Sequence, residues 1–258
     1  MRTMPLETGI IHFVGIGGIG MSGIAEVLHD MGYSVQGSDL TKGPNVKRLT
    51  DKGIRVFKGH DASNIEDAAV VVVSSAIKKD NPERDAARVK KLPVVRRAEM
   101  LAELMRLKRA VAIGGTHGKT TTTAMMAQML VEGGKDPGYL VGGEPASLPA
   151  ASAAGTGVHF VIESCEYDRS FLKLHPSVVV LNNIELDHMD VYGDIGGVTR
   201  GFLEFARCLP KGGTLFYNAD DPRCCEVARK AGCNTIGFGE GPGAMWRMHN
   251  LDASSGFA

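Results

Sequence analysis

The residues with the most chemistry in them lie in GGTHGKTT, residues 114–121. In Gly118-Lys119-Thr120 the lysine can reach the β- and γ-phosphates of a nucleotide, and the threonine hydroxyl can sit on Mg²⁺. The backbone N–H groups of Gly115, Thr116, His117, Gly118, Lys119, Thr120 and Thr121 can form the cradle. The strict GxxxxGK[ST] spacing would put glycine where Ile113 stands, so this is a variant loop. Four threonines, 120–123, offer hydroxyls and caps at the start of the helix that must follow. A triphosphate grip needs a metal site. Glu163 ends an apolar run and is placed as a Mg²⁺ ligand beside the loop. Downstream, NNIELDHMDVYGD (182–194) carries Asp187, His188 and Asp190. Mg²⁺ prefers oxygen, so His188 is an unusual ligand, direct or through a neighbour, and the two aspartates equally suit turn caps.

A second glycine-rich stretch, IIHFVGIGGIGMSGIAEVL (10–28), fits GxGxxG through Gly15, Gly17 and Gly20, with Gly18 added. Its glycines let backbone N–H groups approach a diphosphate at a helix N-terminus. Asp39, near the end of the next strand, stands where a dinucleotide enzyme binds a ribose hydroxyl. The motif alone leaves NAD, FAD and nucleotide-sugars open.

Positioning these groups requires two α/β series. IIHFVGI, YSVQGSD, IRVF, AAVVVVSSAI and PVVR are predicted strands, with helices over 19–31, 44–52, 82–90 and 97–107 between and after them. The near-continuous valine run suits a parallel strand buried on both faces, and the βαβαβ order predicts a doubly wound sheet. After a polar joint at 108–109 a second series begins with AVAIGG. A helix follows over 119–132, then strands at 138–143, 158–164, 177–184, 212–220 and 234–239. Helices are predicted over 196–208 and 222–231, and a loop over the Ala/Ser/Gly/Pro-rich 144–157.

The 258 residues are enough for two ordinary domains, and 43% hydrophobic residues supply a core. Lys+Arg and Asp+Glu balance at 29 each, which argues against a nucleic-acid or anionic-membrane partner. There is no apolar run long enough to span a bilayer, and the first ten residues lack a secretory signal's apolar stretch. The 5 cysteines show no CxxC pair and read as reduced thiols. Cytoplasm is the expected location.

Taken together, HFVGIGGIGMSGIAEVL, GSD, VVSSAIKKDNPE, RRAEMLAELM, AIGGTHGKTTTTAMM and NNIELDHMDVYGD resemble the Mur ligases. The resemblance runs from about residue 10 to about residue 240. It implies a Rossmann-like, doubly wound parallel sheet over 1–108 that binds a UDP-sugar, followed over 109–258 by part of a P-loop-type α/β ATP-binding domain. It also implies a third, carboxy-terminal domain that this chain does not contain. The implied chemistry uses ATP and Mg²⁺ to phosphorylate the lactyl carboxylate of UDP-N-acetylmuramate, after which an amine, that of L-alanine, attacks the acyl phosphate. Lys119 would stabilise the transferring phosphoryl group, Thr120 and Glu163 would hold one Mg²⁺, and His188 a second. Gly17, Gly18, Ile19 and Gly20 would contact the UDP diphosphate. Ser38, Asp39, His60, Ser74, Ser75 and Arg97 are candidates for the uridine-sugar side. ESCEYDRSFL (163–172) departs from the family's EADESDxSFL at Ser164, Cys165 and Tyr167. With LNNIE, it resembles members that attach a ready-made peptide in place of alanine. Without the third domain the chain is expected to fold its first domain but not to complete amide synthesis. A module that binds UDP-sugar without catalysis, and an NAD-dependent oxidoreductase using only the first loop, are the competing readings. The lysine-bearing second loop argues against the oxidoreductase.

Overall fold

The computed structural model describes residues 8–74 and 76–249. The first series forms β1 (Ile10–Val14), α1 (Ile19–Asp30), β2 (Val35–Asp39), α2 (Pro44–Asp51), β3 (Arg55–Lys58), β4 (Ala68–Val73), α3 (Pro82–Val89), β5 (Val94–Arg96) and α4 (Arg97–Arg106). The strands pair in the order β3-β2-β1-β4-β5, all parallel. That order reverses between β1 and β4, and in such sheets the ligand crevice opens at the strands' carboxyl ends there. The chain places its first glycine loop at that point, directly after Val14. The helix starts follow from local chemistry. Asn81 caps α3 by accepting from the Glu83 and Arg84 amides, with Pro82 in the first turn.

The second series forms β6 (Arg109–Gly114), α5 (Lys119–Glu132), β7 (Gly138–Leu140), β8 (Ser152–Ala153), β9 (His159–Glu163), β10 (Val178–Leu181), α6 (Met189–Tyr192), α7 (Ile195–Ala206), β11 (Thr214–Asn218), α8 (Pro222–Ala231), β12 (Asn234–Gly239) and β13 (Trp246–Arg247). Their sheet order is β13-β12-β11-β10-β6-β9-β7-β8. The β7–β8 pair is antiparallel.

By contacts the chain divides into two compact units. One is Met1–Ala110 with Thr120–Glu163, the other Val111–Lys119 with Ser164–Ala258. The sequence divides at 108/109, whereas contacts group 120–163 with the first sheet. In the first unit Val14, Val71 and Val73 pack with Ile65 and Ala87 in one fully enclosed cluster. In the second, Phe171 meets Phe202 edge-on at 5.5 Å and stacks on Phe205 at 4.8 Å.

Two local readings of the sequence change. The strand predicted over 138–143 stops at Leu140, and beyond it Gly142 passes directly against the Glu163 carboxylate. The predicted loop 144–157 contains β8. The five cysteines are all free thiols, as their spacing suggested. Cys224 is enclosed, and burial pushes its thiol well above the ordinary range.

Candidate functional site

The second glycine loop begins where β6 ends. Gly115 has φ 139° and Gly118 φ 75°, conformations that side-chain-bearing residues rarely adopt. A Cβ on Gly115 would also approach Asn182 Cβ to 3.1 Å. The loop is braced by the chain just beyond β10. Asn183 Oδ1 accepts from the His117 amide at 2.8 Å, and its Nδ2 donates to the His117 carbonyl at 3.2 Å. Thr116 Oγ1 accepts from the Glu185 amide at 2.9 Å. Lys119 opens α5, so its ammonium sits where the first helical N–H groups also concentrate positive charge. Its Nζ donates to the carbonyls of Gly115 (2.7 Å) and Thr116 (3.0 Å) and to Glu166 Oε1 (2.9 Å).

Glu166 was not singled out from the sequence as a site residue, although it stands unchanged in ESCEYDRSFL. It is 3% exposed. Its Oε1 takes Lys119 and lies 3.6 Å from His188 Nε2, while its Oε2 is buried and, among the described residues, has no hydrogen-bond partner. Glu166, Asp187 and His188 bring ligand atoms within 4.8 Å of one another. His188 adopts φ 50°, and Tyr167 meets its ring edge-on at 5.2 Å. Tyr192 Oη donates to the Glu166 carbonyl at 2.7 Å; burial, opposed in part by Arg169, pushes its phenol up to about 12. Thr120 and Glu163 form a separate pair, the hydroxyl donating to Glu163 Oε2 at 2.8 Å. Of the predicted metal-side residues, the structure thus joins Thr120 to Glu163, and joins Lys119 and His188 through Glu166. Thr121 lies exposed in the first turn of α5, and Asp190 is exposed in α6.

In the first unit, a cavity of about 490 Å³ opens beside the first glycine loop. Ile19, Gly20, Arg48, Arg97, Gly142 and Glu163 are among the residues that line it. Arg97 packs directly against Gly20, so a side chain there would displace the guanidinium from the loop. The Gly17 amide donates to Asp39 Oδ2 at 2.8 Å, and Asp39 Oδ1 accepts from the Thr41 amide at 3.0 Å. Asp39 therefore closes the loop's own backbone.

Ser38 and His60, read from the sequence as sugar-side candidates, lie away from this cavity's lining. Ser38 is fully buried and donates to Glu83 Oε2 at 2.7 Å, with His60 Nδ1 at 3.0 Å from the same oxygen. Asn64 Nδ2 donates to Glu83 Oε1 at 2.7 Å. Burial opposes ionisation of Glu83, but the nearby His12 ring, with Nε2 3.5 Å from Oε1, and the hydrogen bonds from Ser38 and Asn64 outweigh it and hold the carboxyl below its ordinary range. Ser74 accepts from the Ala76 amide at 3.3 Å, and Ser75 lies outside the described residues.

Comparison with known proteins gives this geometry a lineage. Residues 10–109 match the family model "Mur ligase family, catalytic domain", and residues 113–257 match "Mur ligase middle domain". The chain is 50% identical over 249 residues to the UDP-N-acetylmuramate–L-alanine ligase of Sinorhizobium medicae, covering 96% of this chain and 53% of the relative. It is 51% identical to the enzyme of that name from Agrobacterium fabrum, with the same coverage. The chain thus spans about half the length of the curated relatives it matches. Among solved structures, the UDP-N-acetylmuramate:L-alanyl-γ-D-glutamyl-meso-diaminopimelate ligase of Neisseria meningitides aligns with TM-score 0.80 at 30% identity, over 89% of this chain and 78% of that one. The UDP-N-acetylmuramate–alanine ligase of Thermotoga maritima aligns with TM-score 0.75 at 32% identity, over 89% and 52%. With one family model covering the first sheet and another the second glycine loop and its surroundings, the chain belongs to the Mur ligase family.

Proposed function

We propose that this chain is the UDP-sugar-binding and ATP-binding part of an ATP-dependent ligase that joins L-alanine to the lactyl carboxylate of UDP-N-acetylmuramate through an acyl phosphate. The division into domains at 1–108 and 109–258 belongs to the same reading. So does a cytoplasmic role in peptidoglycan precursor synthesis, and through it in cell shape and division. The observation that carries it is the pairing of Lys119 with a buried, half-satisfied Glu166 beside a glycine loop. The identity of about 50% to ligases of that name supports the choice of substrates.

The residues present fit Mg²⁺. A buried carboxylate oxygen without a partner is costly unless a cation or donor meets it, and the surrounding donors are mostly oxygens. Thr120 and Glu163 would hold one ion, and Glu166, with Asp187 and His188, a second. The metal, when bound, would neutralise charge on the nucleotide phosphates. Lys119 would exchange its carbonyl partners for phosphate oxygens, a change its flexible stem allows. The amides of Gly115 and of Gly118–Thr121 would take the remaining phosphate charge, since those of Thr116 and His117 donate to Asn183. Ile19, Gly20 and Arg97 would receive the UDP diphosphate in the cavity, with Gly17 and Gly18 shaping the turn.

A second reading is a ligase that attaches a ready-made peptide. The altered ESCEYD segment and the alignment with the Neisseria enzyme favour it. Calorimetric titration of the chain with UDP-N-acetylmuramate and, separately, NAD tests the main proposal. Binding of the UDP-sugar in preference to NAD is expected. Tight NAD binding without UDP-sugar binding would overturn it.

A further inference from the structure

The helix after the first glycine loop carries MSGIAE, whose Gly23 and Glu26 have no part in the chemistry above. Both are explained by what packs on α1. A Cβ on Gly23 would lie 2.8 Å from Leu140 Cδ2 and 3.6 Å from Ser152 Cβ, so the β7–β8 pair sits directly on the helix. Glu26 is only 2% exposed, and each of its oxygens is met. Ser152 Oγ donates to Oε2 at 2.7 Å, and Arg48 Nε to Oε1 at 2.9 Å. Arg48 continues the chain of bonds. Its Nη1 donates to Asn45 Oδ1 at 2.9 Å, and Asn45 Nδ2 donates to the Gly17 carbonyl at 2.8 Å.

An unbroken polar path therefore runs from Ser152, through Glu26, Arg48 and Asn45, to the backbone of the first glycine loop. Its two ends lead into separate parts of the lining of the 490 Å³ cavity, and Asn45 and Arg48 line that cavity themselves. Gly17 leads into Ile19 and Gly20, while Ser152 pairs β8 to β7, which leads into Gly142 and Gly143. The middle of the path is rigid. The guanidinium is a planar fork that spans Glu26 and Asn45 at once, and the buried carboxylate cannot give up a partner cheaply.

We propose that Glu26 and Arg48 are positioning residues that hold the first glycine loop at a set distance from the β7–β8 wall, and so fix the cavity's width for a nucleoside-diphosphate sugar. The identity of the ligand rests on the function proposed above; the strut does not.

Two variants test it in the 258-residue chain. Ser152→Ala removes the far end of the path without touching the cavity lining. Arg48→Lys keeps a cation opposite Glu26 but cannot also reach Asn45. Backbone hydrogen exchange over residues 15–21, without ligand, is one readout. Affinity for UDP-N-acetylmuramate is the other, and thermal midpoints serve as the control for general destabilisation. Ser152→Ala is expected to speed exchange at 15–21 and to weaken the UDP-sugar by about three- to tenfold, the range of coupling seen within one hydrogen-bond network. Adding it to Arg48→Lys should not speed ligand-free exchange at 15–21 further, because the path is already cut; Arg48 itself lines the cavity, so the affinity readout is taken from Ser152→Ala. Unchanged exchange at 15–21 in Ser152→Ala, or two effects that multiply independently, would overturn the strut. If the parent chain bound no UDP-sugar, the proposed function would fall, and the exchange data alone would decide the strut.

Discussion

Two buried carboxylates, one in each half of the molecule, are treated in opposite ways. Glu83, packed under the first sheet, is 0% exposed, and both of its oxygens accept hydrogen bonds. Glu166, beside the second glycine loop, is 3% exposed and has one oxygen without a partner among the described residues. A closed network such as Glu83's rigidifies its surroundings and has no capacity left for a ligand. An open one keeps electrostatic demand unmet until something charged arrives. Burial alone would have ranked the two acids together; the partner count separates structure from chemistry.

Five variants can break that comparison. The largest effect is expected at Glu83→Ala, which strands Ser38, His60 and Asn64 and should cost about 3–5 kcal/mol in unfolding free energy. The pH dependence follows from the same site. Its carboxyl is held below the ordinary value in the folded state, so its contribution is fully present above that ordinary value. The contribution is lost as pH falls through the lowered one. Acid unfolding of the parent should show this loss, and Glu83→Gln should flatten it. Next is Lys119→Ala. Removing a charge-assisted phosphate contact should weaken Mg-ATP by about 1.5–3 kcal/mol by calorimetry. Asn183→Ala removes both brackets on the His117 backbone and should cost about 1 kcal/mol per bond in stability, seen as a lower urea midpoint. The smallest stability effect is expected at Glu166→Gln, about 1 kcal/mol or less by the same urea titration, since the amide can still accept from Lys119. A large loss there would make Glu166 a structural acid like Glu83.

The sequence was most legible where one pattern had one physical meaning. Every strand and helix of the first series appears, because alternating valine-rich runs and 3.6-residue periodicity leave little choice, and α5 spans the predicted 119–132. The short elements were not legible. β8 and β13 have two residues each, too few for periodicity to register, and α6 starts from a left-handed His188 that no propensity predicts. Within the site, the glycine loops, Lys119, Thr120 and Glu163 could be read from spacing. Glu166 could not, because its importance lies in the partner its second oxygen lacks, a property of the packed fold. Ser38 and His60, candidates that the family resemblance supplied, both bond to the buried Glu83, a partner that no sequence pattern announces.

On the function proposed above, Glu166 is held open for a cation that serves a nucleotide. The most direct test of that claim is Mn²⁺ binding, with Mn²⁺ standing in for Mg²⁺, titrated in the presence of ATP and followed by the electron paramagnetic resonance of the free ion. The parent chain should take up Mn²⁺, and Glu166→Gln should weaken that uptake on the order of tenfold or more, while Glu83→Gln leaves it unchanged. Equal Mn²⁺ uptake by the parent and Glu166→Gln would contradict the claim.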